Sequence, residues 1–192
     1  MANITIFGQG NMGQGIASVF TAGGHDVDFV GKDGVTGELG EVVVLAVPYS
    51  AVAGIIEANK TALADKILVD ITNPVDFNTM DSLVVPAGTS AAEEIAKLIP
   101  EARVVKGFNT TFAATLASQK VGDQVTTTVQ LASDDEDAKK ILASYLTDGG
   151  VNVIDAGSLK RARELEAMGF LQITLAMREQ INWTGGFAVL KG

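Results

Sequence analysis

The chain has 192 residues, 47% apolar and 19% charged, which is ample for one domain with its own core. A formal net charge of −9 excludes binding to nucleic acid or an anionic membrane through basic patches, since cations supply most of that affinity. With no cysteine and a single histidine, His25, disulfides, thiolate chemistry and clustered-histidine metal sites are excluded as well.

In chain order, "NITIFG" reads as a strand. "NMGQGIASVFTAGG" reads as the helix after it, stopped by Gly23-Gly24. "HDVDFVG" alternates polar and apolar residues and reads as a second strand, with His25 structural at its start. "GKDGVTGELG" follows, with four glycines in ten residues. It is too short and too glycine-rich for the helix and third strand of a standard mononucleotide-binding unit. The expectation there is a loop or one helical turn leading into "EVVVLAVP", a continuous apolar run typical of a doubly buried parallel strand.

Next come a helix "YSAVAGIIEANK", a strand "KILVDIT", a helix "SAAEEIAKLI" and a strand "ARVVKGF". "QVTTTVQLAS" is expected as one longer strand, "DEDAKKILASYLTDGG" as a helix and "VNVIDAG" as a last short strand. Residues 158–181 read as a long C-terminal helix with Ser158 as its N-cap. This alternation predicts an α/β fold: a Rossmann-like, doubly wound, mostly parallel sheet forming a single domain over residues 1–192. The N-terminus lacks the order of a secretory signal, and no apolar run reaches the roughly 18 residues of a membrane span. The expected location is therefore cytoplasmic.

"IFGQGNMGQG" places glycines at 8, 10, 13 and 15 between the first strand and the first helix. In that context the motif binds a dinucleotide for physical reasons. Gly8 permits the tight turn, Gly10 lets backbone amides approach a diphosphate, and Gly13 lets the helix pack on the sheet. The helix N-terminus adds unpaired N–H groups and positive dipole. About 20 residues on, where the ribose is read, stand Lys32 and Asp33. Lys32 favours the 2′-phosphate of NADP, and Asp33 keeps NAD open.

Ligands of open α/β sheets bind outside the carboxyl ends of the strands. Three of these ends are unusual: Val47-Pro48, Thr72-Asn73-Pro74, and Lys106-Gly107-Phe108-Asn109-Thr110. Together they are expected to line the nicotinamide end. Lys106 has two readings, a general acid or a structural lysine tied to a strand-end carbonyl. No carboxylate pair is evident beside it.

"VVVLAVPYSAV", "ILVDITNPVDF", "EARVVKGFNT" and "VIDAGSLKRARELEAM" follow one another as in the deazaflavin-dependent NADP reductases. The chain resembles that family over nearly its whole length, along with the related N-terminal reductase domains of eukaryotic membrane metalloreductases. The resemblance implies hydride transfer between NADP(H) and a flavin or deazaflavin acceptor. It implies a pyrophosphate loop of Gln9, Gly10, Asn11 and Met12, with Val47 and Pro48 near the nicotinamide ribose and Gly107 facing the nicotinamide amide. The family's usual Ser-Arg pair for the 2′-phosphate is replaced here by Lys32-Asp33, a cation without the bidentate fork. The cofactors carry such chemistry, so no catalytic side chain is expected.

Two other readings remain open. A small-substrate dehydrogenase or imine reductase would need a further helical domain. An NADP(H)-sensing module without turnover would not. The C-terminal helix, apolar nearly all round at "FLQITLAM", must be covered, and a homodimer is expected rather than burial within the monomer.

Overall fold

The computed structural model describes residues 1–31 and 33–190. Lys32 lies outside the described residues. Strand β1 (Asn3–Phe7) runs into helix α1 (Asn11–Ala22), then β2 (Asp26–Val30), β3 (Val42–Leu45), α2 (Tyr49–Leu63) and β4 (Ile67–Asp70). Helix α3 (Ala91–Leu98), β5 (Arg103–Lys106), a short α4 (Ala113–Ser118), β6 (Lys120–Val121) and β7 (Val125–Thr126) follow. The chain continues through β8 (Thr128–Ala132), α5 (Glu136–Asp148), β9 (Asn152–Gly157), a 3-10 turn (Leu159–Arg161) and α6 (Ala162–Met177).

The main sheet has seven strands in the order β2-β1-β3-β4-β5-β8-β9. Every pair is parallel except β5 with β8, which meet at Lys106 and Ala132. From β1 the chain goes outward to β2 and then returns to β3 on the other side. That reversal opens a crevice at the carboxyl ends of β1 and β3. Both sheet faces are covered, which is why the strands are apolar without interruption. Val42 and Val44 pack with Ile16 and Phe20 of α1, while Val43 and Leu45 pack with Val52 and Ile56 of α2. Each such side chain is fully or almost fully buried, worth roughly 1.5–3 kcal/mol.

Among the described residues between Val30 and Val42 there is neither helix nor strand, as the glycine-rich segment implied. Gly40 closes it: its N–H donates to Thr5 Oγ1 at 2.8 Å, and a Cβ there would stand 2.2 Å from Asn3 O. His25 is buried at the far end of the sheet from the crevice, accepting from the Ala2 N–H at 3.3 Å and lying against Tyr145.

Three expectations are corrected. The run at residues 124–133 is two strands, not one. Thr127 leaves the ladder because its hydroxyl donates to Thr115 O and its N–H to Gln119 O. Val125–Thr126 then pairs with β6 in a two-stranded ribbon, while β8 enters the main sheet. The C-terminal helix begins after Ser158 as expected, but its first turn is 3-10 and it ends at Met177, short of residue 181. Ser158 makes no side-chain cap bond there. Helix α4 has no counterpart in the sequence reading, because six residues are too few to show a period.

Candidate nucleotide and acceptor site

The β1–α1 turn is built by close approach. Gly8 has φ +106°, and a Cβ on it would lie 2.2 Å from Ala46 O. At Gly13 a Cβ would lie 2.2 Å from Gly8 O, so α1 packs directly on the turn. Gly10 is different: a Cβ there would meet nothing within 4 Å and would occupy the open crevice. The capping of α1 fits the same purpose. Helices α3 and α5 carry side-chain caps, Ser90 and Asp135, and acidic residues in the first turn. Helix α1 has neither. Its first N–H groups are left for a ligand, and no carboxylate there repels an anion.

Two clefts meet at Gly10 and Val47, one of about 610 Å³ and the other of about 760 Å³. The larger is walled by Gly8, Gln9, Val30, Gly34 and the Ala51–Asn59 stretch of α2. Asp33 is exposed nearby. The smaller cleft runs past Asn11, Met12, Pro48 and Asn73 to Phe77 and Trp183. The structure thus brings Gly8, Gln9, Gly10, Asn11, Met12, Val47, Pro48 and Asn73 onto one connected surface.

Gly107 is placed elsewhere. It lines neither cleft, and a Cβ on it would run into Leu131 at 2.7 Å. On that side it faces the Leu131 side chain of β8. Thr72, Asn73 and Asn109 line the smaller cleft instead. Next to Gly107, Phe108 adopts φ +61°, an uncommon conformation for a bulky residue. It is held there by complete burial and by the Thr111 hydroxyl donating to its carbonyl at 2.7 Å.

The rim is locked by a reciprocal amide pair. Asn73 Nδ2 donates to Asn109 O at 2.9 Å, and Asn109 Nδ2 donates to Asn73 Oδ1 at 2.9 Å and to Leu165 O at 2.7 Å. Helix α6 presents Gly169 to this pair, where a Cβ would lie 2.3 Å from Asn73 Oδ1. Thr72 Oγ1 and Asn109 Oδ1 are buried without a protein partner.

Lys106 is fully buried behind Thr72. Its ammonium lies 2.8 Å from Asp70 Oδ2 and 2.8 Å from Glu166 Oε1, and donates to Thr72 O at 2.5 Å. A carboxylate pair therefore flanks it, contrary to the sequence reading. Of the two roles considered, the geometry matches the lysine tied to a strand-end carbonyl. Glu166 also accepts from the Ala91 and Ala92 N–H groups that begin α3, at 2.8 and 3.3 Å. Burial pushes its carboxyl above the usual range, against the pull of Lys106. Tyr49, which lines the smaller cleft, is pushed up by burial first and by the charge of Glu94 next, and stays a neutral phenol. Asp70 and Glu166 were missed because they lie 96 positions apart in a chain of 192; the faint signal was a carboxylate ending "ILVD" and another inside an apolar helix face.

No family model matches the chain. It is 34% identical over 155 residues to the F420-dependent NADP reductase of Methanothermobacter marburgensis, covering 77% of this chain and 68% of that protein. It is 33% identical over 132 residues to the metalloreductase STEAP3 of Rattus norvegicus, covering 67% of this chain but 25% of that protein. A crystal structure described as a putative F420-dependent NADP reductase from Arthrobacter sp. FB24 superposes with a TM-score of 0.86 at 26% identity, with both chains fully covered. With this identity, coverage and continuous glycine turn and crevice, the chain belongs to the F420-dependent NADP reductase family.

Proposed function

We propose that the chain transfers hydride between NADP(H) and a deazaflavin. The observation that carries this is the junction at Gly10 and Val47, where a nucleotide compartment with uncapped helix amides opens into an apolar ring compartment. The cofactors supply the hydride chemistry; the protein binds, orients and excludes water. Gly8, Gln9, Gly10, Asn11 and Met12 would hold the diphosphate, and Lys32 the 2′-phosphate. Val47 and Pro48 would flank the nicotinamide ribose. Thr72, Asn73 and Asn109 line the same cleft and would face the carboxamide.

We further read residues 1–192 as one dinucleotide-binding domain, working as a cytoplasmic homodimer. The half-exposed Leu171 and Met177 on α6 support pairing, and no helix among the described residues is long and apolar enough to cross a membrane. The deciding experiment adds deazaflavin, FMN or riboflavin to protein with NADPH and follows absorbance at the nicotinamide band. Acceptor-dependent loss of NADPH supports the reading. Tight NADPH binding with no turnover on any acceptor would leave a sensing module instead. In the same assay Lys32→Ala should weaken NADP more than NAD, and equal weakening removes Lys32 from the phosphate.

A further inference from the structure

We propose that the acceptor compartment recognises an uncharged fused ring and is blind to any anionic substituent the ring carries, so that neutral, tail-less deazaflavins and flavins bind as tightly as phosphorylated or carboxylated ones. This rests on the hydride-transfer reading and adds the class of acceptor.

The smaller cleft has no charged residue among its described lining. Its mouth is aromatic. Phe77 is 67% exposed and Trp183 51% exposed, a large apolar surface left to solvent beside a cavity. Trp183 is held in place there. Its ring lies 4.8 Å from that of Phe112, at 59°. The Gly122 N–H donates to Thr184 O at 2.8 Å, and the Phe187 N–H to Gln172 Oε1 at 2.7 Å. A fixed, half-exposed indole beside a cavity is a stacking surface for a planar ring.

Among the described residues lining the cleft, none offers a charged donor to an anion. Recognition of phosphate or carboxylate uses charge-assisted donors. Lys106 is spent on Asp70 and Glu166, and Arg163 is paired in two bonds with Glu93. The uncapped amides of α1 serve the dinucleotide. A tail therefore passes the mouth into solvent without contributing affinity.

The test uses matched pairs on the full chain saturated with NADP+: riboflavin against FMN, and a tail-less deazaflavin against one with an anionic tail. Trp183 is the chain's only tryptophan, so quenching of its emission reports occupancy, and the acceptor's own fluorescence reports the same event independently. Within each pair the dissociation constants should agree within about threefold and stay constant from about 50 to about 500 mM salt, since no ion pair is there to be screened. Trp183→Leu should weaken every ring about tenfold, read by acceptor fluorescence, with Trp183→Phe restoring most of it. The proposal is overturned if the anionic member binds more than about tenfold tighter at low salt and loses that advantage at high salt, or if Trp183→Leu, folded by circular dichroism, binds rings unchanged. If NADPH binds while no ring does, the hydride-transfer reading falls together with the proposal.

Discussion

Lys106→Met isolates what the buried ion cluster contributes. Methionine is close in volume and fits the same channel, so packing changes little. The charge change is large. Asp70 and Glu166 are both at most 1% exposed and would lose a cation 2.8 Å from each, and the Thr72 carbonyl would lose its donor at 2.5 Å. Removing one member of a buried ion pair costs about 3–5 kcal/mol, a large part of the roughly 5–15 kcal/mol of a whole domain. The loss should depend on pH. Burial already raises Glu166 above an unfolded glutamate in the native chain, and without the lysine its carboxyl loses the cation that opposes that rise. A carboxyl raised on folding contributes stability at low pH that is lost as pH rises through its folded value. The variant should therefore be less impaired at about pH 5.5 than at about pH 8 in urea unfolding followed by circular dichroism. Neutralising all three, with Asp70→Asn and Glu166→Gln added, should abolish that pH dependence. A Lys106→Met variant that loses less than about 1 kcal/mol at both pH values would show that Lys106 compensates no buried charge.

The first two glycines of the turn should separate stability from binding. Gly10→Ala meets open space, so its melting temperature should hold while the dissociation constant for NADPH rises at least about tenfold, equivalent to 1.4 kcal/mol. Gly8→Ala faces Ala46 O at 2.2 Å with φ +106° and should cost more than about 2 kcal/mol in the melt; equal behaviour of the two would refute the division of labour. Gly169→Ala drives a methyl to 2.3 Å from Asn73 Oδ1 and 2.7 Å from the Asn109 carbonyl oxygen and should cost about 1–3 kcal/mol in the melt; an unchanged melt would show that α6 does not need a glycine there. The Tyr145 hydroxyl donates to Glu41 at 2.5 Å, which pushes its ionisation up to about 12. The stability from this bond is thus intact at neutral pH and disappears only as pH rises through that value. Ultraviolet titration of Glu41→Gln should show a phenolate forming earlier than in the native chain, and an unchanged curve would remove Glu41 as the cause.

Strand identity, the β-α alternation and the glycine turn were legible because their signals are local. "VVVL" is apolar throughout since both sheet faces are covered, and Gly8, Gly10 and Gly13 sit at fixed offsets after a strand. The missing unit at residues 31–40 could be read by counting alone. What failed was non-local. Thr127 leaves its ladder for a carbonyl on another segment, and Gly107 faces Leu131 across the antiparallel pair and lines neither cleft; neither partner is marked in the neighbouring sequence. By itself the sequence determined which residues form the glycine turn and the sheet that presents it, because periodicity and backbone conformation act within a few residues. The carboxylates around Lys106, the α6 wall seated on Asn73 and Asn109 through Gly169, and the uncharged mouth at Trp183 were decided only by tertiary structure. Burial and electrostatics depend on distance in space, and folding makes neighbours of groups that the chain keeps far apart.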